Sequence, residues 1–234
     1  MNSVDNHNET VKKVIESAKN GQMFLLYDSE GREGETDLTI PATSVTSSDI
    51  KWMRKDGGGL ICVAIDSRAS KNFGLPFMAD LIQEASRTND SLKSIVEQDG
   101  DLKYDTRSSF SLWVNHRDTR TGIPDNDRSL TINKLGEAVK KSLNGNNVDF
   151  GAEFRSPGHV AILRAAEGEV NNRMGQTELS IAIAKMAGIT PAMVVCEMLD
   201  DYNGKAFSKK DAVEYARKHN LIFVEGKDIL EAYR

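Results

Sequence analysis

An acidic segment at residues 28–37 is the first part of the chain that could carry chemistry. It holds five carboxylates, one arginine and two glycines, and it follows the apolar run at 23–27. Mg²⁺ prefers oxygen ligands and is often held by one or two carboxylates, so this segment could bind a divalent cation. Crowded carboxylates can also raise one carboxyl pKa and create a general base. A solvated acidic hairpin without a function would explain the same composition.

Two isolated candidates, one histidine and one glutamate, adjoin apolar runs. His159 follows a Pro-Gly turn, and a histidine there could move protons near neutral pH or could simply cap a strand. Glu197 follows the apolar run 193–196, where a carboxylate either meets solvent or faces a site. Neither residue identifies a reaction by itself.

Residues 172–178 read Asn-Arg-Met-Gly-Gln-Thr-Glu and open a predicted helix. Backbone amides at a helix N-terminus, together with Arg173, are suited to a phosphate. An ordinary helix start with Thr177 as its N-cap is the structural alternative. Two further loops, at 57–59 and 121–128, are rich in glycine or turn residues, and each is most simply a turn.

Hydrophobic periodicity predicts a mixed set of strands and helices around these segments. Ser208 is predicted as an N-cap and Gly188 as a helix stop. Strands and helices do not alternate strictly, so we expect one α+β domain over residues 1–234, a mixed sheet with helices packed around it, with residues 1–10 as a mobile tail. The predicted strands are 23–27, 60–65, 110–114, 160–163, 193–196 and 221–224, and the predicted helices are 11–19, 49–55, 132–143, 178–186 and 211–219.

Charge and composition exclude several classes of function. The net charge of −5 argues against a nucleic-acid partner, which needs a basic face. Both cysteines, Cys62 and Cys196, lie in apolar runs and are predicted to be buried thiols in a reducing compartment. No apolar stretch approaches the roughly 20 residues of a membrane span, and the N-terminus lacks an apolar leader, so we expect a cytoplasmic protein with no membrane partner.

Taken together, these segments resemble the 3,4-dihydroxy-2-butanone 4-phosphate synthase family of riboflavin biosynthesis, from about residue 11 to 233. The motifs are archaeal-like, and no GTP cyclohydrolase II extension follows Arg234, so the chain resembles the monofunctional form. The resemblance implies the family's own α+β fold. The residues that carry the resemblance are 28, 32–37, 58–62, 121–122, 125–128, 155–160, 173–178 and 196–197.

The resemblance also implies an activity. Members of this family convert D-ribulose 5-phosphate into L-3,4-dihydroxy-2-butanone 4-phosphate and formate, with Mg²⁺ (or Mn²⁺) as the cofactor. They are homodimers with shared active sites. For this chain, we therefore expect residues 173–177 to serve the acidic segment of the neighbouring subunit.

Site residues follow from the same resemblance. Glu33 is implied as a metal ligand, and Glu35 and Asp28 as acid or base candidates in the same pocket. His159 and Glu197 match positions that the family needs for catalysis. The implied substrate-binding residues are Arg32, Glu33, Asp37, Arg173, Met174, Gly175, Gln176, Thr177 and Glu197.

One residue departs from the family pattern. The family's second metal ligand is a histidine in a Gly-His-Thr-Glu run, and this chain has Gln176 there. Glu33 and Gln176 are thus the expected metal ligands, with weaker metal binding. An alternative is a catalytically impaired member that binds sugar phosphate without efficient turnover. Another Mg²⁺-dependent sugar-phosphate isomerase or lyase is a third reading, which the joint motifs disfavour.

Overall fold

The computed structural model describes the backbone of residues 3–233 and the side chains from Glu9 to Tyr233. Its strands form one mixed seven-stranded sheet in the order β4-β5-β3-β6-β2-β1-β7. β1 pairs with β7 and β3 with β5 in parallel, and the other neighbours are antiparallel. The strands are β1 Phe24–Tyr27, β2 Thr36–Pro41, β3 Cys62–Ile65, β4 Phe110–His116, β5 Phe154–Arg164, β6 Ala192–Glu197 and β7 Phe223–Glu225.

Helices pack on both faces of this sheet, which confirms the predicted α+β class. A π-helical turn at Met53–Gly57 continues α2. The helices are α1 Ser3–Lys19, α2 Ser47–Trp52, α3 Ser67–Asn72, α4 Met78–Ala85, α5 Asp125–Leu143, α6 Phe150–Glu153, α7 Gln176–Met186, α8 Lys209–His219 and α9 Gly226–Tyr233.

Strand alternation divides the core between the two faces, because neighbouring side chains on a strand point in opposite directions. Leu25 packs in a cluster with residues of α2 and α5, whereas Leu26 packs in a second cluster with α1, α7 and α9. A third, small cluster of Cys62, Ala161 and Val195 lies on the same face as the second. Within the described residues, no helix contributes to it. This part of the sheet is therefore left open to form the floor of a cavity.

Several predicted boundaries and caps were confirmed. Ser208 caps α8 by accepting the amide of Asp211, and Gly188 follows α7 with a positive φ of 66°. Both cysteines are free and buried, as predicted. No helix within residues 3–233 is long and apolar enough to cross a membrane.

Other predictions were wrong in informative ways. Thr177 is not an N-cap, because α7 begins at Gln176 and Gly175 holds the cap position. Strand β2 was missed, because its polar residues Thr36, Asp37 and Thr39 are buried rather than solvated. The short helices α3, α4, α6 and α9 were also missed. Helix α1 begins at Ser3, earlier than predicted. Mobility of residues 1–10 stays a prediction, and residues 1–2 lie outside the described residues.

Candidate active site

The predicted residues converge on a cavity of about 570 Å³ above the open part of the sheet. Its floor includes Cys62 and Val195, and the β1–β2 hairpin and the start of α7 form its walls. Eight of the residues singled out from the sequence line it: Arg32, Glu33, Glu35, Asp37, Arg173, Gln176, Thr177 and Glu197. The solvated acidic hairpin is thereby contradicted, since this hairpin encloses a site.

Asp28 has a different place from the one expected. Its carboxylate is buried and accepts the backbone amides of Glu33, Gly34 and Glu35 at 3.0–3.1 Å. It does not line the cavity. Asp28 therefore holds the hairpin loop in shape, and through that loop it positions Glu33 and Glu35.

Glu197 meets the hairpin across the sheet, because it pairs in register with Asp37 on β2. Its Oε2 accepts the amide of Leu60 at 2.8 Å, and its carbonyl oxygen accepts the amide of Gly59 at 3.0 Å. A Cβ at Gly59 would collide with the Glu197 side chain. The glycine loop at 57–59 thus lets the backbone approach and hold this carboxylate.

Burial and mutual repulsion raise the pKa of the carboxylates in the cavity. Burial, with smaller contributions from Glu33, Glu197 and Asp28, raises the pKa of Glu35 to about 7. Burial is also the largest cause for Asp37, whose pKa lies well above its ordinary value, and for Glu33. Burial raises the pKa of Glu197, although backbone amides oppose this. A carboxyl group with a pKa near 7, such as that of Glu35, is suited to proton transfer near neutral pH.

Two arginines bring positive charge to the same cavity. Arg32 Nη2 donates to Asp105 Oδ2 at 2.7 Å, and Arg173 Nε lies 2.6 Å from the same oxygen. Arg173 also donates to Glu178 at 2.6 Å. The hairpin and the Arg173 loop therefore meet within one chain, and the expectation that residues 173–177 serve a neighbouring subunit's acidic segment is wrong.

Gln176 is held in one orientation. Its Nε2 donates to the carbonyl oxygens of Leu26 and Glu35 at 3.1 and 3.0 Å, so the amide cannot flip without losing both bonds. Its Oε1 is buried and has no hydrogen-bond partner among the described residues. No group of three His, Cys, Asp or Glu residues within the described part of the chain could hold a metal ion. An unpaired hard oxygen on a residue that lines the same cavity as Glu33 fits Mg²⁺, which needs few protein ligands.

The neighbours of Gln176 play unequal parts. Thr177 lines the cavity, whereas Met174 is half exposed and lies on another, smaller pocket. Gly175 lies against the guanidinium groups of Arg173 and Arg32, where a side chain would collide with both. Met174 is thus the one residue of the 173–177 set that faces away from this site.

His159 lies outside the cavity of its own chain, in the exposed first half of β5. Its backbone amide donates to Asn115 Oδ1 at 2.8 Å, and its Nδ1 lies 3.2 Å from Asn115 Nδ2. Asn115 Nδ2 also donates to the Thr121 carbonyl at 3.2 Å. Gly122, with a φ of 99°, packs directly against the Asn115 side chain. The loop at 121–128 therefore supports Asn115, which in turn positions His159.

The charged and aromatic side chains that the segment before β4 brings to the cavity were missed from the sequence. Glu97, Tyr104 and Asp105 come from the irregular segment before β4, and Tyr104 lies 5.9 Å from the Arg32 guanidinium. The segment has neither strand nor helix periodicity. Its acidic and aromatic content was the only signal, and that signal is equally typical of a solvent-exposed loop.

Comparison with known proteins agrees with this geometry. A sequence model described as 3,4-dihydroxy-2-butanone 4-phosphate synthase matches residues 12–232. A synthase of that name from Methanosarcina mazei is 66% identical over 226 residues, covering 97% of this chain and 92% of the relative. One from Archaeoglobus fulgidus is 54% identical over 223 residues, covering 95% and 93%.

Solved structures agree as well. A crystal structure of a 3,4-dihydroxy-2-butanone 4-phosphate synthase in complex with two magnesium ions has a TM-score of 0.77 at 26% identity, covering 95% of each chain. A cation-free form gives 0.75 at 26% identity, again over 95% of each chain. The predicted fold and resemblance are both confirmed. The chain belongs to the 3,4-dihydroxy-2-butanone 4-phosphate synthase family.

Proposed function

We propose that this cavity converts D-ribulose 5-phosphate into L-3,4-dihydroxy-2-butanone 4-phosphate and formate, the lyase reaction of the family in riboflavin biosynthesis. The observation that carries the proposal is the convergence of the acidic hairpin, two arginines and Glu197 on one cavity. The cavity, at about 570 Å³, is large enough for a five-carbon sugar phosphate.

Glu33 and Gln176 are the proposed metal ligands, with Mg²⁺ as the preferred ion and Mn²⁺ as a substitute. Both line the cavity, and the free Oε1 of Gln176 supplies a fixed oxygen. A bound Mg²⁺ would act as a Lewis acid that stabilises negative charge on the substrate's oxygens.

The substrate's phosphate is proposed to bind Arg32 and Arg173 beside Thr177. Guanidinium groups bind phosphate with several parallel hydrogen bonds, and the first amides of α7 add positive partial charge. This end of the cavity fixes the substrate, so that its carbonyl end points toward the carboxylates.

Glu35 is the proposed general base, because its pKa of about 7 leaves it partly ionised at neutral pH while it can still take up a proton. Glu197 and Asp37 are proposed to hydrogen-bond the substrate's hydroxyl groups. Asp28 is assigned no proton transfer, since its two oxygens are occupied by backbone amides.

His159 is proposed to act in the site of a second subunit. It is exposed and lies away from its own cavity, and the open sheet face near it carries the partly buried apolar residues Leu60, Phe110 and Trp113. Covering that face with a second copy would bury these side chains. The proposal is a homodimer with shared sites.

Formate release tests the assignment. Glu33→Gln should lower metal-dependent formate release from ribulose 5-phosphate by about 100-fold or more, because a metal ligand is lost. The free energy of unfolding should stay equal or rise slightly, since the raised pKa of Glu33 shows that its charge is disfavoured in the fold.

Glu30→Gln is the matched control, because Glu30 is exposed on the same hairpin. It should leave formate release unchanged. Full activity of Glu33→Gln would remove Glu33 from the site. Absence of formate from the unaltered protein, together with binding of ribulose 5-phosphate, would favour the impaired-member alternative, which Gln176 motivates.

A further inference from the structure

An irregular segment at residues 97–108, here called the flap, lies over the cavity. Most of residues 98–106 are exposed, whereas the side chain of Asp105 is only 7% exposed. The two ends of the flap are fixed. The Ser108 amide donates to Glu97 at 2.9 Å, and Arg107 pairs with Asp80 and lies over the Phe77 ring.

Asp105 is the tether of the middle of the flap. Among the described residues, the hydrogen bonds and ion pairs that join residues 99–106 to chain outside the flap all come from this carboxylate. Asp105 Oδ2 contacts both Arg32 and Arg173, whereas Asp105 Oδ1 accepts the amide of Thr106 at 2.8 Å. The flap is thus held down through the proposed phosphate site.

A single carboxylate oxygen satisfies this pair of arginines poorly. Among the described residues, the buried Nε atoms of Arg32 and Arg173 make no hydrogen bond. Arg32 Nε lies 3.9 Å from Asp28 Oδ2, and Arg173 Nε lies 2.6 Å from Asp105 Oδ2 without suitable N–H geometry. A phosphate offers three oxygens in place of one and can satisfy more of these donors. Asp105 is therefore an incomplete ligand for a site that a phosphate would complete.

The local charge is a second reason why Asp105 and a phosphate cannot occupy the place between the two arginines together. Arg173 also pairs with Glu178, and Arg32 Nε lies 3.9 Å from Asp28 Oδ2, so with Asp105 present two arginines face three carboxylates. Displacement of Asp105 removes one negative charge that would otherwise repel an incoming phosphate. Although burial acts in the opposite direction, Arg32 and Arg173 lower the pKa of Asp105, which keeps this carboxylate ionised.

We propose that Asp105 is an internal anion that occupies the place between Arg32 and Arg173 until the phosphate of a ligand displaces it and releases the flap. The inference rests on the proposed phosphate site. The inference gives Asp105 a role in ligand selection. Only an anion that binds both arginines more tightly than this carboxylate can displace it.

Titration of inorganic phosphate into the full chain tests this proposal. Asp105→Asn keeps the shape and removes the charge, and it should tighten phosphate binding by about tenfold, because a charge-assisted competitor becomes a neutral one. Asp99→Asn removes the same charge from an exposed position on the flap and should bind phosphate like the unaltered protein.

Hydrogen exchange gives a second readout, and its first comparison uses only the unaltered protein with and without phosphate. Phosphate should increase deuterium uptake in residues 98–106, and Asp105→Asn should show that high uptake without phosphate. Weaker or unchanged phosphate binding by Asp105→Asn would overturn the proposal, as would uptake that falls when phosphate is added.

The phosphate titration distinguishes a failure of the proposed function from a failure of the inference about Asp105. If phosphate binds and Asp105→Asn does not tighten it, only the inference about Asp105 is lost. If phosphate binds to neither form, the proposed phosphate site is wrong, and the role of Asp105 falls with it.

Discussion

At residue 176 this chain carries an amide where the family pattern has an imidazole. Two backbone carbonyls fix the amide nitrogen, so only the oxygen is available to a cation. An amide oxygen suits a hard ion such as Mg²⁺, but it is a weaker donor than imidazole toward softer ions. On the proposed assignment of Gln176 as a ligand, this residue sets the metal affinity and the preference among metal ions.

Gln176→His should raise metal affinity by about 10- to 100-fold, with turnover rising in parallel, because imidazole is the stronger donor. Titrations of Mg²⁺ and Mn²⁺, followed by calorimetry and by formate release, would measure the change. Gln176→Leu has a similar size without a donor atom and should weaken metal binding. Equal midpoints for the unaltered protein and both variants would show that residue 176 is not a ligand.

Some site residues could be predicted from the sequence more readily than others. Glu33, Glu35 and Arg173 lie in short motifs where several functional residue types crowd together, and such density is visible without a fold. Asp28 lies in the same motif, yet its role depends on three backbone amides that only the folded loop brings to it. Asp105 was not predicted, because its partners are far away in the sequence and its own segment lacks periodicity.

At the scale of elements, the start of α7 and the β1–β2 hairpin hold the site, and α7 is itself held by ion pairs on its far end. Lys185 in α7 binds Asp66 at 2.8 Å and also pairs with Glu169. Asp66 caps α3 by accepting the amides of Arg68 and Ala69. One buried carboxylate thus links two helices.

Asp66→Asn should lower the free energy of unfolding at neutral pH by about 1 kcal/mol, since Asn can still cap the helix but cannot pair with Lys185. Burial alone would raise the pKa of Asp66, yet Lys185 and the two amides outweigh it and lower that pKa. A lowered pKa stabilises the fold above the ordinary value near 3.8, and this stabilisation is lost as pH falls through the folded pKa.

Urea unfolding from about pH 5 to about pH 2 would measure this effect, and the gap between Asp66→Asn and the unaltered protein should narrow as the pH falls. Asp201→Asn, at an exposed position, should show no gap at any pH. A constant gap for Asp66→Asn would mean that shape, rather than charge, accounts for the loss.

Elements also show where periodicity fails as a guide. β2 alternates polar and apolar residues as a strand should, but its polar residues are buried rather than solvated, and Asp37 among them lines the site. The acidic segment 28–37 continues directly into β2, so the sequence showed no boundary between the two. The longer strand β5 was only partly predicted, because its first half is exposed and contains Pro157 and Gly158.

At the scale of the whole molecule, the sheet order explains why the site could not be assembled from the sequence. β2 and β6 are neighbours although most of the chain separates them, and this pairing places Asp37 beside Glu197. Hydrophobic periodicity and the lack of strict alternation between strands and helices indicated an α+β class but carried no information about strand order. The family resemblance supplied the fold that periodicity alone left open.

Shared sites predict a homodimer whose subunits can complement one another. Glu33→Gln and His159→Ala should each be inactive alone, whereas a mixture allowed to exchange subunits should regain about a quarter of full activity, since half the dimers then carry one intact site. Light scattering would check the mass of each form. A fully active monomer, or a mixture without recovery, would contradict the shared-site arrangement.

The contact between Asn115 and His159 decides where the imidazole keeps its proton. Backbone groups fix the Asn115 amide, because its oxygen accepts the His159 amide and its nitrogen donates to Thr121. That nitrogen also faces His159 Nδ1, which must then be the acceptor. The neutral ring therefore carries hydrogen on Nε2, its outward nitrogen. In any site that it enters, neutral His159 therefore presents an N–H hydrogen-bond donor to a substrate oxygen rather than a proton acceptor.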